Sequence, residues 1–75
     1  MSDEAIVRQL TRSAISRLVE KVMEEKSLPL PKAMTKVYES RLYELVNDPE
    51  TGLYREGPVY LYSMLCDEFV GDAEQ

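Results

Sequence analysis

Histidine is absent from this 75-residue chain, and cysteine occurs once. Without imidazole there is no Ser-His-Asp or Cys-His pair and no histidine metal ligand, which removes the commonest hydrolytic and zinc machinery. The single thiol, Cys66, cannot close an internal disulfide, so nothing points to an oxidising compartment. Glycine is scarce, and Gly52, Gly57 and Gly71 are too dispersed to build a phosphate-cradling loop. No apolar run approaches the roughly 20 residues that span a bilayer. The opening MSDEAIVRQL lacks the apolar stretch of a secretion signal, so a cytoplasmic location is expected. Basic residues are outnumbered, nine against 14 acidic, giving a net charge of −5. That sign repels phosphate backbones at long range and removes the usual electrostatic basis for nucleic-acid affinity.

What is present is helical patterning. Ser2-Asp3-Glu4 reads as an N-cap followed by acids that suit the positive end of a helix dipole. Ile6, Val7, Leu10, Ala14, Ile15, Leu18, Val19, Val22 and Met23 then recur at spacings of three and four, predicting a helix over residues 3–26. At about 100° per residue, Ile15, Val19 and Val22 point one way while Ile6 and Leu10 lie well round the cylinder. That stripe is too wide for one neighbour.

Ser27-Leu28-Pro29-Leu30-Pro31 breaks the pattern, because proline removes backbone donors and disfavours helix in the residue before it. With Pro31 in its first turn, a second helix is predicted over 31–47, carrying Met34, Val37, Tyr38, Arg41, Leu42, Leu45 and Val46. Asn47-Asp48-Pro49-Glu50-Thr51-Gly52 has the residues of a turn, with a glycine able to take positive φ. The connection runs about ten residues to Gly57-Pro58, and Leu53 and Tyr54 within it are expected to fold back onto the core. Gly57 as N-cap and Pro58 as first helical residue start a third helix over 58–70, with Leu61, Tyr62, Leu65, Cys66 and Phe69 on its inner face. Gly71 is expected to end it, leaving a polar tail over 71–75. The expectation is therefore an all-α, compact three-helix domain with a Pro-rich first turn and an ordered second connection.

Candidate chemistry is thin. Cys66 falls on the inner face beside Leu65, where a thiol behaves as a small hydrophobe rather than a nucleophile. Glu20 with Glu24, Glu24 with Glu25, and Asp67 with Glu68 are explained by solvated helix faces. Asp48, Glu50 and Glu56 resemble an oxygen-ligand loop, but Pro49 and a missing third acid break the calcium-loop pattern. No catalytic residue, metal or cofactor is expected, and hence no enzyme.

Tyrosine is the positive signal, since five of the six aromatic residues are Tyr38, Tyr43, Tyr54, Tyr60 and Tyr62. Tyr38 and Tyr62 fall on core stripes, whereas Tyr43 and Tyr60 fall outside them, with Met64 near Tyr60 in angle. Tyrosine suits interfaces because its ring supplies apolar area while its hydroxyl keeps a polar contact. Ile6, Leu10, Tyr43, Tyr60 and Met64 are accordingly the candidate interaction surface, and the partner is expected to be a second copy or the product of a neighbouring gene. The alternative is a small DNA-binding regulator that places Lys32, Thr35, Lys36 and Arg41 of the second helix against a groove.

The runs Leu42-Tyr43-Glu44-Leu45, Asp48-Pro49-Glu50-Thr51-Gly52-Leu53-Tyr54 and Pro58-Val59-Tyr60-Leu61-Tyr62 resemble short bacterial proteins known as a domain of unknown function. The resemblance covers roughly residues 14–69. It implies a compact helical protein of the bacterial cytoplasm and brings no activity, cofactor or catalytic residue with it.

Overall fold

The computed structural model describes the backbone of residues 3–73 and the side-chain surroundings of residues 3–69. Its first helix, α1 (Asp3–Lys26), has the bounds that the three-and-four spacing predicts. The expected cap at Ser2 lies outside the described residues. The end of α1 is set by Ser27, a non-glycine residue at φ +54°, after which the Leu28 N–H donates to the Met23 carbonyl at 3.3 Å. This is the bonding of a left-handed helix stop, and its two apolar residues, Met23 and Leu28, both pack on the core. Serine carries a Cβ into a region that glycine enters without cost. Ser27→Gly should therefore stabilise the fold by about 1 kcal/mol and raise Tm by about 4–8 °C. An unchanged or lower Tm in thermal circular dichroism would show that the serine backbone is unstrained.

The second predicted helix is two helices, α2 (Leu30–Tyr38) and α3 (Arg41–Asn47). Apolar spacing continues across the break from Tyr38 to Leu42, but the buried positions step five residues from Val37 to Leu42, and Ser40 interrupts the backbone ladder. Its hydroxyl donates to the Val37 carbonyl, and its oxygen accepts from the Tyr43 N–H at 3.1 Å, so Ser40 closes one helix and caps the next. Ser40 is extended at φ −84°, ψ 155°, and buried. The remaining free amides at the start of α3 are met from far along the chain. Glu68 accepts from the Arg41 N–H at 2.6 Å and from the Leu42 N–H at 3.1 Å. The three-helix expectation is thus corrected to four helices among the described residues, and the reason is a serine cap completed by a distant carboxylate.

The second connection is ordered as expected, as two 3-10 turns at Pro49–Thr51 and Leu53–Arg55. Asp48 caps the first through its side chain, and Gly52 joins them at φ +70°. The Thr51 hydroxyl lies 2.6 Å from the Leu45 carbonyl and 2.9 Å from that of Asp48, tying the loop to the end of α3. Tyr54 is buried and Leu53 half-buried against the core. The last helix, α4 (Pro58–Ala73), begins where Gly57-Pro58 predicts, with the Leu61 N–H donating to the Gly57 carbonyl at 3.1 Å. It runs on through Gly71, contrary to expectation. A helical glycine costs only about 1 kcal/mol, so without a left-handed turn the helix simply continues. The polar tail is therefore partly helix, and Glu74 and Gln75 lie outside the described residues.

α1 is the spine. α2, α3, the second 3-10 turn and α4 all pack on it, and its buried positions run from Thr11 to Val22. Ala14, Ile15, Leu18, Val19 and Val22 meet Ala33, Val37, Leu42, Val46, Leu61 and Leu65 in one cluster. The first two turns of α1 contribute no fully buried residue; Val7 is half-buried, and Asp3, Glu4, Val7 and Arg8 face Asn47 and Pro49 across an open depression. Among the described residues no helix is long and apolar enough to cross a membrane.

Candidate functional site

The break at Glu39–Ser40 builds the principal surface feature. On one straight helix, Tyr38 and Tyr43 would point about 140° apart. With the chain redirected at Ser40 their rings come together, centroids 5.0 Å apart and planes tilted by 43°, within the range of favourable aromatic pairs. The pair lines an open groove between α1 on one wall and α2 and α3 on the other. Ile15 and Val19 of α1, Leu30 and Met34 of α2, and the two tyrosines supply its apolar lining. Leu30 and Tyr38 remain 50% and 46% exposed, so the groove's most apolar and most aromatic walls face solvent rather than the chain's own core. Arg12 and Glu20 lie along the α1 side. Asn47 at the α3 end is already engaged, its side-chain amide donating to the Tyr43 carbonyl at 2.8 Å.

Tyr38 corrects the sequence reading. Its position on the stripe of an unbroken helix predicts burial, but it sits in the last residue of α2, where the helix stops and the side chain passes to the groove. Tyr43 corrects it in the opposite sense, being half-buried against the core and Tyr38 rather than free. A local signal for this arrangement existed in Ser40 followed by Glu44, a helix N-cap with an acid in the first turn.

The five predicted surface residues fall in three separate places. Ile6 and Leu10 are exposed on the first turns of α1, on the side away from the core stripe. Tyr43 lines the groove just described. Tyr60 is 52% exposed on α4, with Met64 one turn further on. Met64 is half-buried, packs on the core, and shares a shallow depression with Leu45 of α3. Tyr60, Met64 and the exposed Leu45 thus form a small apolar strip along the α3–α4 seam, and Leu45, predicted to be inner, belongs to it.

The residues proposed for DNA contact are divided by the same break, with Lys32, Thr35 and Lys36 on α2 and Arg41 on α3. Glu39 and Glu68 line the depression that holds Lys32 and Lys36, and the Lys36 ammonium rests 5.0 Å from the centre of the Phe69 ring. Carboxylates so placed offset the positive charge that phosphate contact requires.

Cys66 is half-buried rather than enclosed. Tyr62, one turn before it, has its phenol pushed up to about 12 by burial, then by a hydrogen bond to and the charge of Cys66, and by the carboxylate of Glu25. A phenol held protonated in this way is a packing group, without the lowered pKa of an activated one. Among the described residues no three Cys, Asp or Glu side chains stand close enough to share a metal ion. Asp48 of the loop instead accepts from the Glu50 N–H at 3.1 Å. Compared with protein-family models, with curated proteins and with solved structures, the chain gives no match.

Proposed function

We propose that the chain is a non-enzymatic interaction protein of the bacterial cytoplasm that self-associates and receives an amphipathic helix of a partner protein in the groove between α1 and α2–α3. The observation that carries this reading is the convergence of Leu30, Met34, Tyr38 and Tyr43 on Ile15 and Val19 in a groove that the chain itself leaves open. Half-exposed aromatic and apolar side chains in a concave site are the usual anchors of helix-in-groove recognition. Arg12 and Glu20 add direction. They stand eight residues apart on α1, about 12 Å at 1.5 Å per residue, and favour a helix with an acid and a base about two turns apart on its flank.

A photo-crosslinking residue at position 38, introduced in the native host, should capture a protein that the same residue at the exposed Glu56 does not. Purified, that protein should bind the chain in titration calorimetry, and Tyr38→Ala should weaken binding by about tenfold or more. Capture at position 38 no greater than at 56, or full affinity in Tyr38→Ala, would sink the proposal.

A further inference from the structure

The groove leaves the outer side of the first turns of α1 unexplained. Ile6 and Leu10 are 56% and 44% exposed, no described residue before Thr11 is buried, and a helix does not need these side chains to form. Their neighbours on the same strip of the cylinder are Asp3, Ser13 and Arg17, all exposed. Asp3, Ile6, Leu10, Ser13 and Arg17 are spaced three, four, three and four, which is the repeat of a helix-pairing seam. The next two positions in the series are Glu20 and Glu24, where the seam turns acidic and stops.

We infer that the self-associating partner is a second copy of this chain, docked through an antiparallel pairing of the two α1 helices over residues 3–17. The inference deepens the self-association half of the proposed function and rests on it. In antiparallel seams the first-type position of one helix faces the second-type position of the other. Ile6 of each copy then packs against Leu10 of its partner, making two adjacent apolar layers around a two-fold axis near residue 8. Asp3 of each copy falls opposite Ser13 of the other. Arg17 lies one turn beyond Ser13, and helical side chains lean toward their own N-terminus, so its guanidinium reaches the carboxylate of the opposing Asp3.

Charge selects this direction. The strip is acidic at one end and basic at the other, so antiparallel copies bring Asp3 to Arg17 twice, whereas parallel copies bring Asp3 to Asp3 and Arg17 to Arg17. The centre of the core stripe of α1 lies about a third of a turn round the cylinder, with buried Ala14 flanking the seam on one side and Glu20, on the groove's rim, just beyond its end. About 22 Å of helix takes part, which belongs to the small end of specific interfaces and makes a weak, reversible dimer.

Sedimentation equilibrium of the purified chain over a wide concentration range tests both levels. The wild type should show a reversible monomer–dimer equilibrium. Leu10→Asp should be monomeric with unchanged helicity by circular dichroism. Asp3→Arg and Arg17→Asp should each weaken the dimer by about tenfold or more, because each turns two attractive contacts into two repulsive ones. Mixing those two variants, or combining both changes in one chain, should restore association to near the wild-type value. A wild type that stays monomeric throughout overturns self-association itself. A dimer that survives Leu10→Asp overturns the α1 seam alone, and single charge reversals that the mixture fails to rescue overturn the antiparallel register.

Discussion

Leu61→Ala should destabilise the fold by about 2–5 kcal/mol and lower Tm by more than about 10 °C. Within its described side chains, α4 is fixed to the bundle by two fully buried groups, Leu61 and Leu65, each at no more than 1% exposure. Removing the first leaves a cavity where the helix starts, beside the Gly57-Pro58 entry, and packing there is set by α1, which cannot follow because α2 and α3 hold its other side. A chain of this size has little stability to lose, so a substantial unfolded fraction at room temperature is within the expected range. Val59→Ala is the control. It lies two residues away on the same helix at 68% exposure and should change stability by less than about 0.5 kcal/mol. Equal shifts for the two variants in thermal or urea unfolding would mean that α4 is not anchored through Leu61.

Glu68→Ala should cost about 1–2 kcal/mol, a fall in Tm of about 5–15 °C. The carboxylate meets two amides of α3, at 2.6 Å and 3.1 Å, and also places negative charge at the positive end of that helix. The cost stays below that of a buried orphan because Arg41 is exposed and water can reach its amide. Glu68→Gln keeps an acceptor and loses the charge, so it should fall between the wild type and alanine. Should Glu68→Ala unfold at the wild-type temperature, the bridge from α4 to α3 contributes nothing, and α3 is held by Ser40 and packing alone.

α1 was legible from end to end because one uninterrupted apolar spacing meets a proline-containing stop. The loop at Leu53-Tyr54 was legible for a related reason, since two large apolar groups between turn residues have nowhere stable to go except the core. The division of α2 from α3 was not. Hydrophobic spacing reads Met34, Tyr38, Leu42 and Val46 as one stripe at intervals of four, whereas the buried set steps five residues from Val37 to Leu42, about 140° on a single helix, a phase shift that Tyr38 masks. Ser40 is a local signal that spacing alone outweighs. Its completion by Glu68, more than two dozen residues away, has no local signature at all. The groove was hidden with the break, because the meeting of Tyr38 and Tyr43 exists only once the chain bends between them. Ile6 and Leu10 stood out as surplus to one neighbour, and both are exposed.

The link from Glu68 to the start of α3 bears on the order in which the molecule can come into being. A chain made from its N-terminus has α1, α2 and Ser40 in place while the carboxylate that finishes α3 has yet to be synthesised. α3 has seven residues, too few to persist as a helix in water without its surroundings. The nascent chain therefore holds α3 with open amides until Glu68 has emerged, and the docking of α4 completes the cap at the bend that shapes the groove. The bend that shapes the groove is in this sense completed only in a chain that reaches Glu68.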